Sequence, residues 1–131
     1  MAKNNENNAR NYSVNIAFAS KELTKYDRVK FKDTSFCARL DEATKEGDVT
    51  IDYDFHLVLE VHNEKAQDDK DYTQYVIVGK DGSAYLTGSK NVYNSLMDIK
   101  DEMGDDDFTI VITRLESKNY KGKQFLSCHL A

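Results

Sequence analysis

The side chains with most to offer chemically lie in one short run near the C-terminus, Glu116-Ser117-Lys118-Asn119-Tyr120-Lys121-Gly122-Lys123. Three lysines surround a tyrosine, a glycine permits a tight reversal, and no apolar pair anchors the run inside a core. Lysines neutralise phosphates and an exposed aromatic ring stacks on bases of any kind, the combination that an unpaired polynucleotide needs. The same residues also suit an ordinary solvated hairpin tip, so the run needs a structural context before it carries a function.

Other constellations are weaker. A metal centre would need several of Cys37, His56, His62, Cys128 and His129 to converge. His56 and His62 share a strand face but stand roughly 20 Å apart at about 3.3 Å per residue. Cys128 and His129 are adjacent and point to opposite sides of a strand. Gly79, Gly82 and Gly88 lack the spacing of a phosphate-binding loop. Asp52 and Asp54, the nearest approach to a carboxylate pair, fall on the wet side of a strand, where solvated charge is their ordinary role. No nucleophile–base spacing stands out. These residues argue against an enzyme and call for no cofactor and no metal.

The elements that must position the lysine run are legible from periodicity. In Val49–Val61 every odd residue is apolar and five of the six even ones are polar, the pattern of a strand with one dry and one wet face. At about 40 Å it is long enough to bend and serve two parts of a sheet, as in a small barrel. Before it, residues 1–13 read as a flexible tail, Val14–Phe18 as a short edge strand, and Thr24 as the start of a short basic helix through Lys32. Ser35–Ala43 alternates and reads as a first barrel strand, with Lys45–Asp48 turning into the long one. His62–Asp71 reads as a charged loop. Tyr72–Val78 is a third strand, and Asp81-Gly82 turns the chain into Ser83–Thr87. Val92, Leu96, Ile99 and Met103 then fall on one helix face between Ser89 as N-cap and Gly104 as stop. Phe108–Thr113 and Gln124–Leu130 complete the set.

Strand, strand, strand, helix, strand, strand is the order of the five-stranded OB barrel, so the expected fold is all-β with one helix, a single OB-like domain over residues 14–131. Such barrels bind oligonucleotides on the face of strands two and three and through the loops joining strands 1–2 and 4–5. That places Ser117–Lys123 at a ligand loop and makes Tyr72, Tyr75 and Tyr85, on or near strand three, candidate stacking rings.

The charge distribution limits this reading. The chain has net charge −5, but residues 1–32 hold seven basic against three acidic groups (+4), residues 33–107 seven against nineteen (−12), and residues 108–131 four against one (+3). A net acidic protein is no indiscriminate polyanion binder, whereas basic ends allow a local anion site. Asp52, Asp54 and Glu60 on the long strand would repel phosphate, so either nucleic acid runs along strand three and the 4–5 loop or a subunit or the N-terminal arm covers that face. Two widely spaced cysteines, no apolar leader and no run long enough to span a membrane suggest a soluble cytoplasmic protein.

At the residue level the C-terminal half resembles a known family. Tyr75-Val76-Ile77-Val78-Gly79-Lys80-Asp81-Gly82, Tyr85-Leu86-Thr87-Gly88-Ser89, the helix to Met103, Ser117–Lys123 and Phe125-Leu126-Ser127-Cys128 look like the single-stranded DNA-binding proteins of phages that infect Gram-positive bacteria. The similarity covers about residues 72–130. It implies an OB fold and sequence-tolerant binding of single-stranded DNA during phage replication or recombination in the host cytoplasm, without catalysis or cofactor. Phage or host replication proteins are the implied protein partners, and homo-oligomerisation is left open. The binding role falls on Lys118, Tyr120, Lys121 and Lys123, with Tyr72, Tyr75 and Tyr85 behind them. Many single-strand binders end in an acidic recruiting tail; here that task would pass to the Asp-rich loop His62–Asp71 or to nothing. The rival reading is a phage-encoded protein-interaction module or inhibitor that uses the acidic middle as its contact surface.

Overall fold

The alternation of Val49–Val61 produces the longest strand of the molecule, and the other elements are arranged along it. The computed structural model describes residues 11–131. In chain order they form β1 (Tyr12–Ala19), α1 (Lys25–Phe31), a 3-10 turn (Thr34–Phe36), β2 (Ala38–Arg39), α2 (Leu40–Ala43), β3 (Val49–Asn63), β4 (Asp71–Gly79), β5 (Ala84–Thr87), α3 (Lys90–Met103), β6 (Thr109–Glu116) and β7 (Gln124–Leu130). The tail expected over residues 1–13 lies, for residues 1–10, outside the described residues; Tyr12 and Ser13 belong to β1.

The sheet runs β2-β5-β4-β3-β6-β7, with β1 also paired to β3, and curls into an OB-like half-barrel. One edge of β3 pairs with β4 from Tyr53↔Gly79 to His62↔Asp71. Its other edge is divided: Val49–Asp52 pair with β6, and Leu57–Asn63 pair with β1. The barrel series of three strands, helix and two strands is therefore β3, β4, β5, α3, β6, β7, and the long strand is its first member, not its second.

The segment Ser35–Ala43, expected as a barrel strand, is not one. The Asp33 carboxylate accepts hydrogen bonds from the Ser35 amide and hydroxyl (3.1 and 2.7 Å) and winds the chain into the 3-10 turn. Leu40-Asp41-Glu42-Ala43 then closes one helical turn, its acidic pair at the favourable N-terminal end. Only Ala38–Arg39 are left extended, in a two-residue parallel pairing with β5. Elsewhere local signals act as expected. Thr24 Oγ1 caps α1 by accepting from the Asp27 amide, and Ser89 Oγ caps α3 by accepting from Val92 (both 3.1 Å). Gly104, at φ +62°, ends α3 in a conformation that L side chains rarely adopt.

Opposite β4, Tyr53 faces Gly79 and Phe55 faces Val78, so Asp54 is one residue too many: a β-bulge. An extra residue exchanges the faces of a strand. Before the bulge, Ile51 and Tyr53 point into the barrel interior, with Ile77, Leu96, Ile110 and Leu126. After it, Phe55, Leu57, Leu59 and Val61 point the other way, into a second core with Val14 of β1 and Phe31 of α1. Alternate residues of β4 register the two sides: Ile77 joins the first core, Val76 and Val78 the second. The molecule thus has a barrel core stoppered by α3, and an outer core where β1, α1 and the 3-10 turn cover β3, β4 and β5.

The switch also buries His56, expected on the wet face and here 1% exposed. Its Nδ1 lies 2.8 Å from the Tyr53 hydroxyl, its ring lies against Tyr93 of α3, and Nε2 has no partner among the described residues. Burial, aided by the charge of Lys100, lowers its pKa from 6.5 to about 4. The unfolded chain therefore binds a proton that the native state refuses between these two values. The contribution of neutral His56 to stability is complete above about pH 6.5 and is lost as pH falls through 4. Between pH 7 and pH 4.5 the parent should lose roughly 2 kcal/mol more than His56→Gln in urea unfolding; equal losses would show that this imidazole does not govern the acid limb.

Candidate nucleic-acid interface

The lysine run forms the connection between β6 and β7, the fourth and fifth barrel strands. It is a structured turn: the Ser117 amide donates to the Lys123 carbonyl (2.8 Å) and the Lys123 amide to the Tyr120 carbonyl (3.0 Å). The Ser117 hydroxyl accepts from the Asn119 and Tyr120 amides (both 3.3 Å). Gly122 at φ +86° makes the reversal that brings Lys121 and Lys123 to one tip. Lys118, Lys121 and Lys123 are exposed, and the Tyr120 ring is 67% exposed. At the base, Arg114 Nη1 donates to Gln124 Oε1 (3.1 Å) and Nη2 to the Asp41 carbonyl, which ties the hairpin to α2.

Two residues that sequence reasoning passed over extend this site. Leu115 and Phe125 are direct cross-strand partners just below the tip, and both are exposed, at 42% and 43%. Their neighbours Arg114 and Leu126 occupy the opposite face of the ribbon, where Leu126 is buried. The signal was available: adjacent Phe125-Leu126 in a strand cannot both point inward. Leu115 and Phe125 thus present an exposed apolar pair on the strands just below the tip that carries Tyr120 and the lysines.

The other candidates are placed differently. Tyr75, 7% exposed, stacks on Tyr93 of α3 with ring centroids 4.3 Å apart, so its ring is engaged inside the protein and is withdrawn as a stacking surface. Tyr72 is half-buried against the outer core and Tyr85 against the barrel core. Tyr85 also lines an open concavity with Asp52 and Asp81, a poor neighbourhood for phosphate. On the long strand Asp52 accepts from Thr109 Oγ1 and Glu60 from Thr73 Oγ1 (both 2.8 Å), which leaves both carboxylates charged, and Lys21 offsets Asp54 alone, at 3.8 Å.

Since β3 is the first barrel strand, the 1–2 loop is the turn between β3 and β4, not Lys45–Asp48. It is acidic and internally tied. His62 bridges Asp71 through Nδ1 (2.7 Å) and Glu64 through Nε2 (3.2 Å), and Lys70 pairs with Glu64 (2.9 Å). Among the described residues no three His, Cys, Asp or Glu side chains are arranged so that they could hold a metal ion, the His62 network included, and no helix is long and apolar enough to cross a membrane.

A curled OB-like barrel with a cationic, tyrosine-bearing hairpin at its 4–5 position belongs to the class of small oligonucleotide-binding folds. A family model described as phage single-stranded DNA-binding protein matches residues 44–131, from just after α2 to the last residue. The chain belongs to that family, whose shared property is the binding of single-stranded DNA. No curated protein and no solved structure matches it. β1, α1, the 3-10 turn and β2 lie outside the matched stretch.

Hydrogen bonds that His62 donates to Asp71 and then to Glu64 raise its pKa above 6.5, and those Glu64 accepts from Lys70 and then His62 lower that of Glu64. His62 therefore stays protonated to higher pH than a free imidazole, the reverse of His56. In an NMR titration its ring signals should turn over above pH 6.5, and Asp71→Asn should bring that midpoint down. A midpoint unmoved by the substitution would mean that the network does not form in solution.

Proposed function

We propose that this protein binds single-stranded DNA without sequence preference at the β6–β7 hairpin and serves phage DNA replication or recombination in the host cytoplasm, with residues 14–131 acting as one OB-like unit. Lys118, Lys121 and Lys123 neutralise phosphates. Tyr120 stacks on a base, and Leu115 and Phe125 extend the surface below it. No group is transferred, and no cofactor takes part. The observation that carries the reading is the coincidence of three exposed lysines and an exposed tyrosine on the 4–5 loop, which OB barrels use for oligonucleotides, in a chain of a single-stranded DNA-binding family. Stacking on a ring is tolerant of base identity, and cationic contacts read only the backbone, so low sequence preference follows.

Fluorescence anisotropy with labelled oligo-dT tests this. Binding should weaken steeply with salt. Tyr120→Ala should cost about 1–3 kcal/mol on every sequence alike. Replacing all three lysines by alanine should flatten the logarithmic salt slope by about 2, roughly 0.7 per lost phosphate contact. Parent-like titrations from both variants would move the site elsewhere. A flat titration of the parent at low salt would favour a protein-binding role for the acidic surface.

A further inference from the structure

OB barrels lend the outer face of their second and third strands to the ligand; here that face is already filled. Val76 and Val78 of β4 and Leu86 of β5 lie in the outer core under Phe31 and Cys37, so a polynucleotide has no access to the strands themselves. The elements that fill it, α1 and the 3-10 turn, precede the family-matched stretch. What they present outward is unusual for a covering layer. Tyr26 and Val29, three residues apart on one side of α1, are 75% and 74% exposed, and Phe36 is exposed beside them.

Tyr26, Val29, Lys30 and Phe36 line one open concavity with Asp33. Lys30 Nζ sits 4.9 Å from the Phe36 ring centroid, and Lys25, Arg28 and Lys32 are exposed around it. Among the described residues none of these four cations is paired with a carboxylate, whereas the Asp33 carboxylate is engaged by Ser35. A second groove shares Lys30 and Phe36 with the first and runs on past Asp27 to Lys21 and Lys80, which are paired with Asp54 and Asp107, so the unpaired cations are those of the first concavity. Exposed rings interleaved with cations along a continuous track suit a flexible polyanion with flat bases.

We propose that this N-terminal layer is a second single-stranded DNA contact, in which Tyr26 and Phe36 stack bases and Lys25, Arg28 and Lys30 hold phosphates, so that the ligand platform of the barrel has been moved one layer outward. The inference rests on the single-strand-binding reading above. Charge selects the occupant: the layer is cationic in a chain whose middle is acidic, and the loop on the same sheet between β3 and β4 is acidic too.

The test uses the full chain with Tyr26→Ala and, separately, Lys25→Ala/Arg28→Ala, all at exposed positions that leave the outer core intact. Tyr26→Ala should weaken oligo-dT binding about tenfold. The double variant should lower the logarithmic salt slope by about 1.4. Photo-crosslinking to an oligonucleotide carrying 5-iodouracil should yield adducts in both the 25–36 and the 117–125 peptides. If the parent binds and crosslinks only through 117–125, and both variants titrate like it, this second contact is refuted while the hairpin site stands. If the parent does not bind oligo-dT at all, the hairpin reading fails first and this one with it. Variants that keep DNA affinity but lose self-association in sedimentation would assign the layer to a second copy of the chain and overturn the proposal.

Discussion

The single extra residue at Asp54 is the constraint from which the architecture follows. Without it, the apolar odd residues of β3 would line one face, and the strand would wall one core. With it, one strand contributes to the barrel interior through Ile51 and Tyr53 and to the outer core through Phe55, Leu57, Leu59 and Val61. The junction is tight. A Cβ placed on Gly79, opposite the bulge, would come within 3.4 Å of Ile51 Cγ2 and 3.0 Å of Asp81 Oδ1. That close approach lets β4 follow β3 through the turn. The divided edge of β3 is the other half of the arrangement: β6 takes the stretch before the bulge, β1 the stretch after it.

Much of this was legible in the sequence. The limits of α3, the β4–β5 turn and the last strand follow from local chemistry that tertiary packing does not override; the barrel class was read correctly, but with Ser35–Ala43 as its first strand where the structure has β3. The change of face was hidden, because an inserted residue leaves the odd–even pattern of the chain unbroken while turning it over in space. A strand that keeps one face through a bulge shows a break in alternation, but the unbroken run in β3 is also that of a strand with no bulge, so the pattern alone does not mark Asp54. Tyr75 was misplaced for a related reason. Tyr75-Val76-Ile77-Val78 is continuously apolar, the mark of a strand dry on both sides, and no ring in such a strand is free for a ligand. Ser35–Ala43 alternates by composition alone, and the Asp33 cap outweighs a pattern of weak strand formers.

For the site, the loop chemistry was readable and the apolar pair below it only in part. Ser117–Lys123 announces itself by three lysines and a tyrosine. Phe125 is marked by its adjacency to Leu126 in one strand, whereas Leu115 becomes visible as its partner only once β6 and β7 are in register. The pairing of β3 with β4 places an acidic turn at the barrel's 1–2 position, so the 1–2 and 4–5 loops carry opposite charge. A strand running between them would be held at one end and repelled at the other, which gives it a preferred line of approach.

The two cores also divide the cysteines. Cys37 lies in the outer core and Cys128 in the barrel; both are buried and free, and burial pushes both thiols up to about 11. As closed thiols they are unreactive, but each becomes alkylatable when its own compartment opens. Nature has left one chemical tell-tale in each half. Mapping which sulfur a reagent reaches first would distinguish a peeling of the N-terminal cover from a rupture of the barrel, with no label added to the protein.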